Sequence, residues 1–249
     1  MHEIGNEFIR NTRYPDFTTV DLIRRVPEPP GELPVPDGAR VIKLPSPKRV
    51  KVKDVPVRDA IEEWNPIGFF SRSSITLKEL SFLLWCTQGV RKKTAEDHIP
   101  VRNVPSAGSR FPIETYFVAG EVEDLPTGLY RYLPSSHSIV MEREDSDLPF
   151  AMGTASMNFK VVTRAALTFL WVGIPYRSVW ALGNRGYRSV FIEAGHICQT
   201  LIFAASCIGC EVYNTDLFHD DLMTQIADLD PETQWPLYIG AVGRVEREL

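Results

Sequence analysis

Cysteine is scarce in this chain: there are four, Cys86, Cys198, Cys207 and Cys210, three of them within one apolar stretch of helical patterning. Thiols in such a setting are ordinarily buried and reduced, which excludes a disulfide framework as the basis of the fold. Cys207 and Cys210 form a lone CxxC without the second pair of ligands that a structural zinc site needs, so they read as core residues. Long apolar runs are missing too. None reaches the roughly eighteen residues of a membrane span, and Met1 to Arg25 has no apolar core of the secretion-signal kind, so a cytoplasmic protein without membrane contact is expected. Positive charge is not in excess. A net charge of -5 supplies no field for phosphate backbones, and nucleic acid is not an expected partner. No nucleophile triad, paired-carboxylate arrangement, Walker loop or dinucleotide fingerprint can be read. The basic run Lys48–Lys53 fits a solvated or intersubunit face, and Asp220-Asp221 and Asp228–Asp230 fit helix ends or solvent.

What the chain does contain is an ordinary globular mixture, 44% hydrophobic and 24% charged over 249 residues, enough for one α+β unit around one core. Proline is unevenly placed. Pro15, Pro27, Pro29, Pro30, Pro34, Pro36, Pro45, Pro47 and Pro56 punctuate the first part of the chain. Each removes an amide donor and fixes φ, so regular elements are not expected to persist there. Residues 1–56 are expected to form an extended arm, whose apolar side chains, such as Phe8, Tyr14, Phe17, Leu22 and Ile42, pack over its own subunit or a partner. Residues 57–249 are expected to form the domain.

Within that domain, apolar spacing predicts a short helix over Val57–Trp64 and a clearer one over Thr76–Gln88, with Gly89 placed to end it. Ile113–Ala119 reads as a strand, Gly128–Leu133 and Ser138–Glu142 as a hairpin, and Ala165–Val172 as a buried strand. A long helix is expected from about Arg185 to Ile208. Strands at Cys210–Asn214 and Pro236–Val242 then bracket a helix at Asp220–Ala227.

Two segments carry chemistry. Pro105-Ser106-Ala107-Gly108 offers a stiff entry and small residues, which let backbone amides approach a flat ligand closely; the same string also suits a tight turn between helix and strand. Glu193, His196 and Thr200 fall on one stripe of an otherwise apolar helix and need partners, either across a subunit interface or at a ligand. Arg185 and Arg188 open that helix, where they would anchor an anion or pair with acids such as Glu193.

Read in order, IKLP at Ile42–Pro45, LKELSFLLWCTQGV at Leu77–Val90, VPSAGSRFPIETY at Val104–Tyr116, GLYRY at Gly128–Tyr132, GNRGYR at Gly183–Arg188, EAGHICQTLIFAA at Glu193–Ala205 and PLYIGAVGR at Pro236–Arg244 resemble the SagB-type dehydrogenase branch of the nitroreductase superfamily. The resemblance implies an α+β nitroreductase-like fold, a central mostly antiparallel sheet flanked by helices, and a homodimer. It further implies an FMN-dependent oxidoreductase whose flavin N5 takes hydride either from a small-molecule substrate or from a nicotinamide nucleotide as electron donor. By the family pattern, Pro105, Ser106, Ala107 and Gly108 lie against the isoalloxazine ring, with Glu193, Ala194 and Gly195 close to it.

One part of the pattern is broken. Relatives carry Arg-Arg-Ser-x-Arg for the FMN phosphate, whereas this chain has Trp64-Asn65-Pro66-Ile67-Gly68. Arg72 and Arg244 are the cations left to hold the phosphate. Asp216 also stands where relatives have small neutral residues, and a carboxylate beside a flavin disfavours the reduced, anionic ring. The alternative to an enzyme is a homologue that binds flavin weakly or not at all and serves as a binding or scaffold subunit.

Overall fold

Alternation of period two, apolar on both parities, marks strands buried on both faces, and the centre of this protein is such a sheet. The computed structural model describes residues 3–14, 19–64, 69–94 and 100–245. Its strands are β1 (Val41–Lys43), β2 (Val90–Lys93), β3 (Pro100–Arg102), β4 (Ile113–Ala119), β5 (Gly128–Leu133), β6 (Ser138–Glu144), β7 (Leu167–Gly173), β8 (Glu211–Thr215) and β9 (Trp235–Gly243). Seven pair in the order β1-β6-β5-β4-β7-β9-β8, every neighbour antiparallel, while β2 and β3 form a separate ribbon.

Each face of the sheet has its own core. Phe117 of β4, Tyr130 and Tyr132 of β5, and Phe169 and Trp171 of β7 point to one side, where α3 (Leu77–Gln88) and α7 (Gly186–Cys207) cover them. Their neighbours Tyr116, Val118, Leu129, Leu170 and Val172 point to the other, against α4 (Leu148–Ala155), α5 (Phe159–Val162) and α8 (Asp220–Ile226). Phe117, Tyr130, Phe169 and Trp171 form a continuous aromatic stack across β5, β4 and β7, with centroid distances of 5.3, 6.1 and 5.9 Å. The expected α+β class and antiparallel sheet are present.

Several local expectations are corrected. The long helix expected from about Arg185 to Ile208 is present as α7, and it is preceded by a helix that was not expected, α6 (Pro175–Leu182), which ends at Gly183, where φ is +56°. Together they are apolar enough to resemble a membrane span, but half of the most apolar window is buried inside the protein. Gly89 does follow α3, yet its φ is -62° rather than left-handed; a Cβ there would overlap the Trp85 ring and carbonyl, so glycine serves close approach. The start of α3 is fixed by a capping box between Thr76 and Glu79.

The first 56 residues also contain regular structure. Helix α1 (Glu3–Asn11) precedes the first proline, and a further helix, α2 (Val57–Glu62), follows the last. Strand β1 adds to the sheet edge. Arg185 and Arg188 do not pair with Glu193: they donate to Thr12 and to the Ile9 carbonyl at the C-terminal end of α1, where orphan acceptors await donors.

Between them, the proline-rich residues are clamped by buried charge. Arg177 Nε donates to the Pro30 carbonyl at 2.8 Å, and Arg131 donates to the carbonyls of Leu33 and Pro34 at 3.0 and 2.8 Å. Glu114 accepts from the Leu33 amide at 2.8 Å and from Arg177 Nη2 at 2.5 Å, and Arg131 is tied to Glu142 at 2.7 Å. A segment poor in amide donors can still present carbonyls, and arginine's fork matches them.

Candidate functional site

Residues 106–111 turn from the β3 side into β4 through an unusual backbone. Gly108, Ser109 and Phe111 have φ of +65°, +54° and +48°. Left-handed conformation is natural for glycine and strained for a bulky aromatic residue, and it persists only where surroundings impose it. Here they do. The Phe111 amide donates to Ser106 Oγ at 2.9 Å, its carbonyl accepts from Arg177 Nη1 at 3.3 Å, and the Arg102 guanidinium lies over its ring at 4.4 Å. Arg110 Nε closes back on the Gly108 carbonyl at 2.8 Å. Pro105, Ala107 and Gly108 are exposed on this rigid turn.

Behind it lies Glu193, on the buried face of α7 and only 2% exposed. Neither carboxylate oxygen has a hydrogen-bond partner among the described residues, and Arg102 Nε is likewise unpartnered. Burial pushes Glu193 up to about 7, with the Ser106 hydroxyl and the Arg102 guanidinium pulling back. Arg102 is fixed by its Nη1 bond to Gln88 Oε1 at 3.1 Å, and burial lowers its own pKa. The loop residue Ser106 and the helix residue Glu193 are therefore brought together. Ala194 is buried beside Glu193, whereas Gly195 and His196 turn outward, so the polar stripe expected on α7 divides between core and surface.

The two arginines expected as candidate anchors for a phosphate stand on opposite faces of the sheet. Arg244 follows β9 and reaches the α3/α7 side, donating to Glu79 Oε1 and to the Ile208 carbonyl, each at 2.8 Å. Arg72 is exposed beside α4 and α5 on the other side. The structure supplies a different neighbour for Arg244. Lys53 Nζ and Arg244 Nη1 each lie 3.8 Å from where a Cβ on Gly209 would sit. The Lys53 amide anchors that stretch on the Cys207 carbonyl at 2.8 Å. A cavity of about 390 Å³ opens there, walled by Ala60, Trp64 and Val212 and carrying Glu63 and Glu211 as well as Lys53. Trp64 donates its indole N–H to the Val212 carbonyl at 3.4 Å. The altered motif's Asn65, Pro66, Ile67 and Gly68 lie outside the described residues. Asp216 is exposed to solvent.

Lys53, Arg102 and Phe111 are the site residues that sequence reasoning missed. Lys53 had a signal, the basic run it ends, but Arg102 and Phe111 had none, because their role comes from packing against α3 and α6. Another constellation, Ser81 Oγ to His137 Nε2 and His137 Nδ1 to Tyr132 OH, both 2.8 Å, has the form of a relay. Ser81 is fully buried and already donates to the Pro45 carbonyl at 2.6 Å, so it ties chain segments together.

Comparison with known proteins agrees with this architecture. Residues 68–244 match the model of the nitroreductase family. A nitroreductase-like protein of Methanocaldococcus jannaschii is 28% identical over 82% of this chain and 96% of its own length. The trifolitoxin-processing protein of Rhizobium leguminosarum bv. trifolii is 26% identical over 51% of this chain and 35% of its own length. Among solved structures, a nitroreductase-like protein of Anabaena variabilis has a TM-score of 0.69 and 20% identity over 96% of this chain, which spans 46% of that protein. The Escherichia coli microcin synthetase complex, solved with a truncated pro-microcin bound, contains a chain with a TM-score of 0.65 and 18% identity, covering 98% of this chain and 92% of that one.

Proposed function

The chain belongs to the nitroreductase family, and on that premise we propose that it is an FMN-dependent oxidoreductase of the SagB type, a homodimer acting on a small-molecule substrate with a nicotinamide nucleotide as electron donor. The observation that carries this reading is the strained, over-determined turn at 106–111 set against a buried carboxyl without a partner. Strain of this kind gathers at sites that must be pre-formed for a ligand. The likeness to the trifolitoxin-processing protein supports the SagB assignment.

The residues present fit a flavin. Pro105, Ser106, Ala107 and Gly108 offer an exposed rigid edge for the ring, and Lys53 with Arg244 would meet the phosphate in place of Arg72. When bound, FMN supplies hydride transfer at N5, and the protein supplies position and electrostatics. Glu193 holds a proton next to Ser106 near neutral pH, in a place shut off from solvent. Arg102, fixed by Gln88, keeps positive charge beside it. Two features weaken the phosphate end, because Arg244 is already paired with Glu79 and the cavity wall includes Glu63 and Glu211. They favour loose FMN binding, and taken further they favour the second reading, a flavin-free scaffold.

Titrating the purified chain with FMN while following flavin fluorescence tests the proposal. Saturable quenching is expected, with Lys53→Ala and Arg244→Ala each weakening affinity about tenfold or more, the worth of one charge-assisted hydrogen bond. Arg72→Ala should leave it unchanged. No quenching at FMN on the order of tens of micromolar would favour the scaffold.

The dimer reading rests on α7, where Phe191 and Ile192 are 50% and 58% exposed beside Gly195 and His196. An exposed apolar stripe on a central helix invites a second copy. Light scattering should give twice the 28.2 kDa chain mass. A monomer at concentrations on the order of micromolar would overturn the dimer reading.

A further inference from the structure

On the sheet face opposite Glu193, α4, α5 and the segment from Phe69 to Arg72 enclose a cleft. Two cavities of about 400 and 520 Å³ open into one another there, both lined by Arg72, Phe159, Thr163 and Arg164. Each is of the size that takes a small organic ligand. The walls are aromatic and cationic. Phe69 and Phe150 are each 63% exposed and Phe159 41%, with Phe150 and Phe159 meeting edge to face at 5.2 Å. Three exposed phenylalanines around one opening are a concentration of wetted apolar surface that a monomeric protein seldom carries without use.

The cations make no ion pair among the described residues. Arg72 and Lys160 have no hydrogen bond or ion pair among the described residues, and both line the cleft. Arg164 is held by its Nε bond to the Phe70 carbonyl at 3.1 Å, which leaves both Nη groups free. Phe70 is itself buried and bridged to Val245, so that anchor is rigid. Glu121 is the one acid among the described lining residues. In a chain of net charge -5, three cations at one opening without an ion pair among the described residues are a local excess against the background.

Guanidinium groups beside exposed aromatic rings recognise a ligand that is both anionic and flat, with phosphate on the arginines and a ring stacked on phenylalanine. We infer that this cleft is a second ligand site, independent of the Ser106–Glu193 site, and that it takes a nucleotide. The ring lies against Phe150 and Phe159, and the phosphates lie on Arg72, Lys160 and Arg164. An acidic peptide would use the cations but gains little from ring walls, and a purely apolar partner gains nothing from three positive charges.

Calorimetric titration of the full chain with ADP, and separately with adenosine, tests this inference. ADP should bind saturably and more weakly as salt rises, with adenosine at least tenfold weaker. The Arg72→Ala, Arg164→Ala double variant should lose at least tenfold for ADP. Lys160→Glu, at an exposed position without a protein partner, should show the same loss and serves if the double variant fails to fold. Added FMN should leave ADP binding unchanged. The inference is overturned if ADP fails to saturate at millimolar concentration, if adenosine binds equally well, or if the variants bind ADP like the parent. It is also overturned if FMN displaces ADP, since the cleft would then be the flavin site, or if an oligoglutamate peptide binds there and ADP does not. Failure of FMN to bind anywhere bears on the proposed function alone.

Discussion

Two buried ionic clusters lie near each other in this protein and differ in one respect. In the first, Glu114, Arg131, Arg177 and Glu142 satisfy one another and the carbonyls of Pro30, Leu33 and Pro34. In the second, Glu193 has no hydrogen-bond partner among the described residues, and Arg102 leaves its Nε unused. Folding alone accounts for the first, because the charges hold an arm that lacks amide donors. It does not account for the second. Unpaired buried polar atoms destabilise, and their presence beside a strained turn marks a place where stability is given up for binding. The comparison separates charge that builds the molecule from charge that equips it.

The largest expected effect comes from breaking the satisfied cluster. Arg177→Ala leaves Glu114 buried with its main partner gone and releases the Pro30 carbonyl, and the variant should lose about 3–5 kcal/mol in urea unfolding. A loss below about 1 kcal/mol would mean that the arm is not held through this pair. Such a result would also erase the distinction drawn between the clusters.

The second cluster should respond with the opposite sign. With a folded pKa of about 7 against an ordinary 4.5, Glu193 stays protonated in the folded chain while the unfolded chain ionises. The cost is absent below pH 4.5, grows between 4.5 and 7, and is constant above. Glu193→Gln, which cannot ionise, should match the parent near pH 4 and exceed it at pH 8 by about 3 kcal/mol. A difference that does not change with pH would show that the carboxyl is solvated or paired, and the two clusters would then be of one kind.

The contrast also explains which features could be read from the residues in order. Strands β4, β5 and β7 were visible because short runs of β-branched and aromatic residues are a local signal, and α3 because Leu77, Leu80, Leu83 and Leu84 recur at helical spacing. Helix α6 was missed because Pro175–Leu182 is only eight residues long, carries Arg177 on its buried face and has no side-chain N-cap to announce it. Ser106 and Glu193 were picked out separately, through a resemblance and through a polar break in an apolar helix. Arg72 and Arg244 could be named as alternative phosphate anchors but not told apart, because position along the chain says nothing about which face of a sheet a side chain takes.

By itself the sequence determined the elements whose signals are short-ranged: the strands of the central sheet, the helices with regular apolar spacing, and the ordered motifs of the nitroreductase family. Only the tertiary structure decided which charges are partnered. Arg131 and Arg177 lie 98 and 147 positions from the Leu33 and Pro30 carbonyls they bind, and Lys53 and Arg244 both come close to Gly209 only because the arm crosses the end of α7. Hydrogen bonding and desolvation depend on distance in space, which patterning along the chain does not encode. The same rule sets Glu193 against Ser106 and turns an ordinary glutamate into a group that titrates near neutrality.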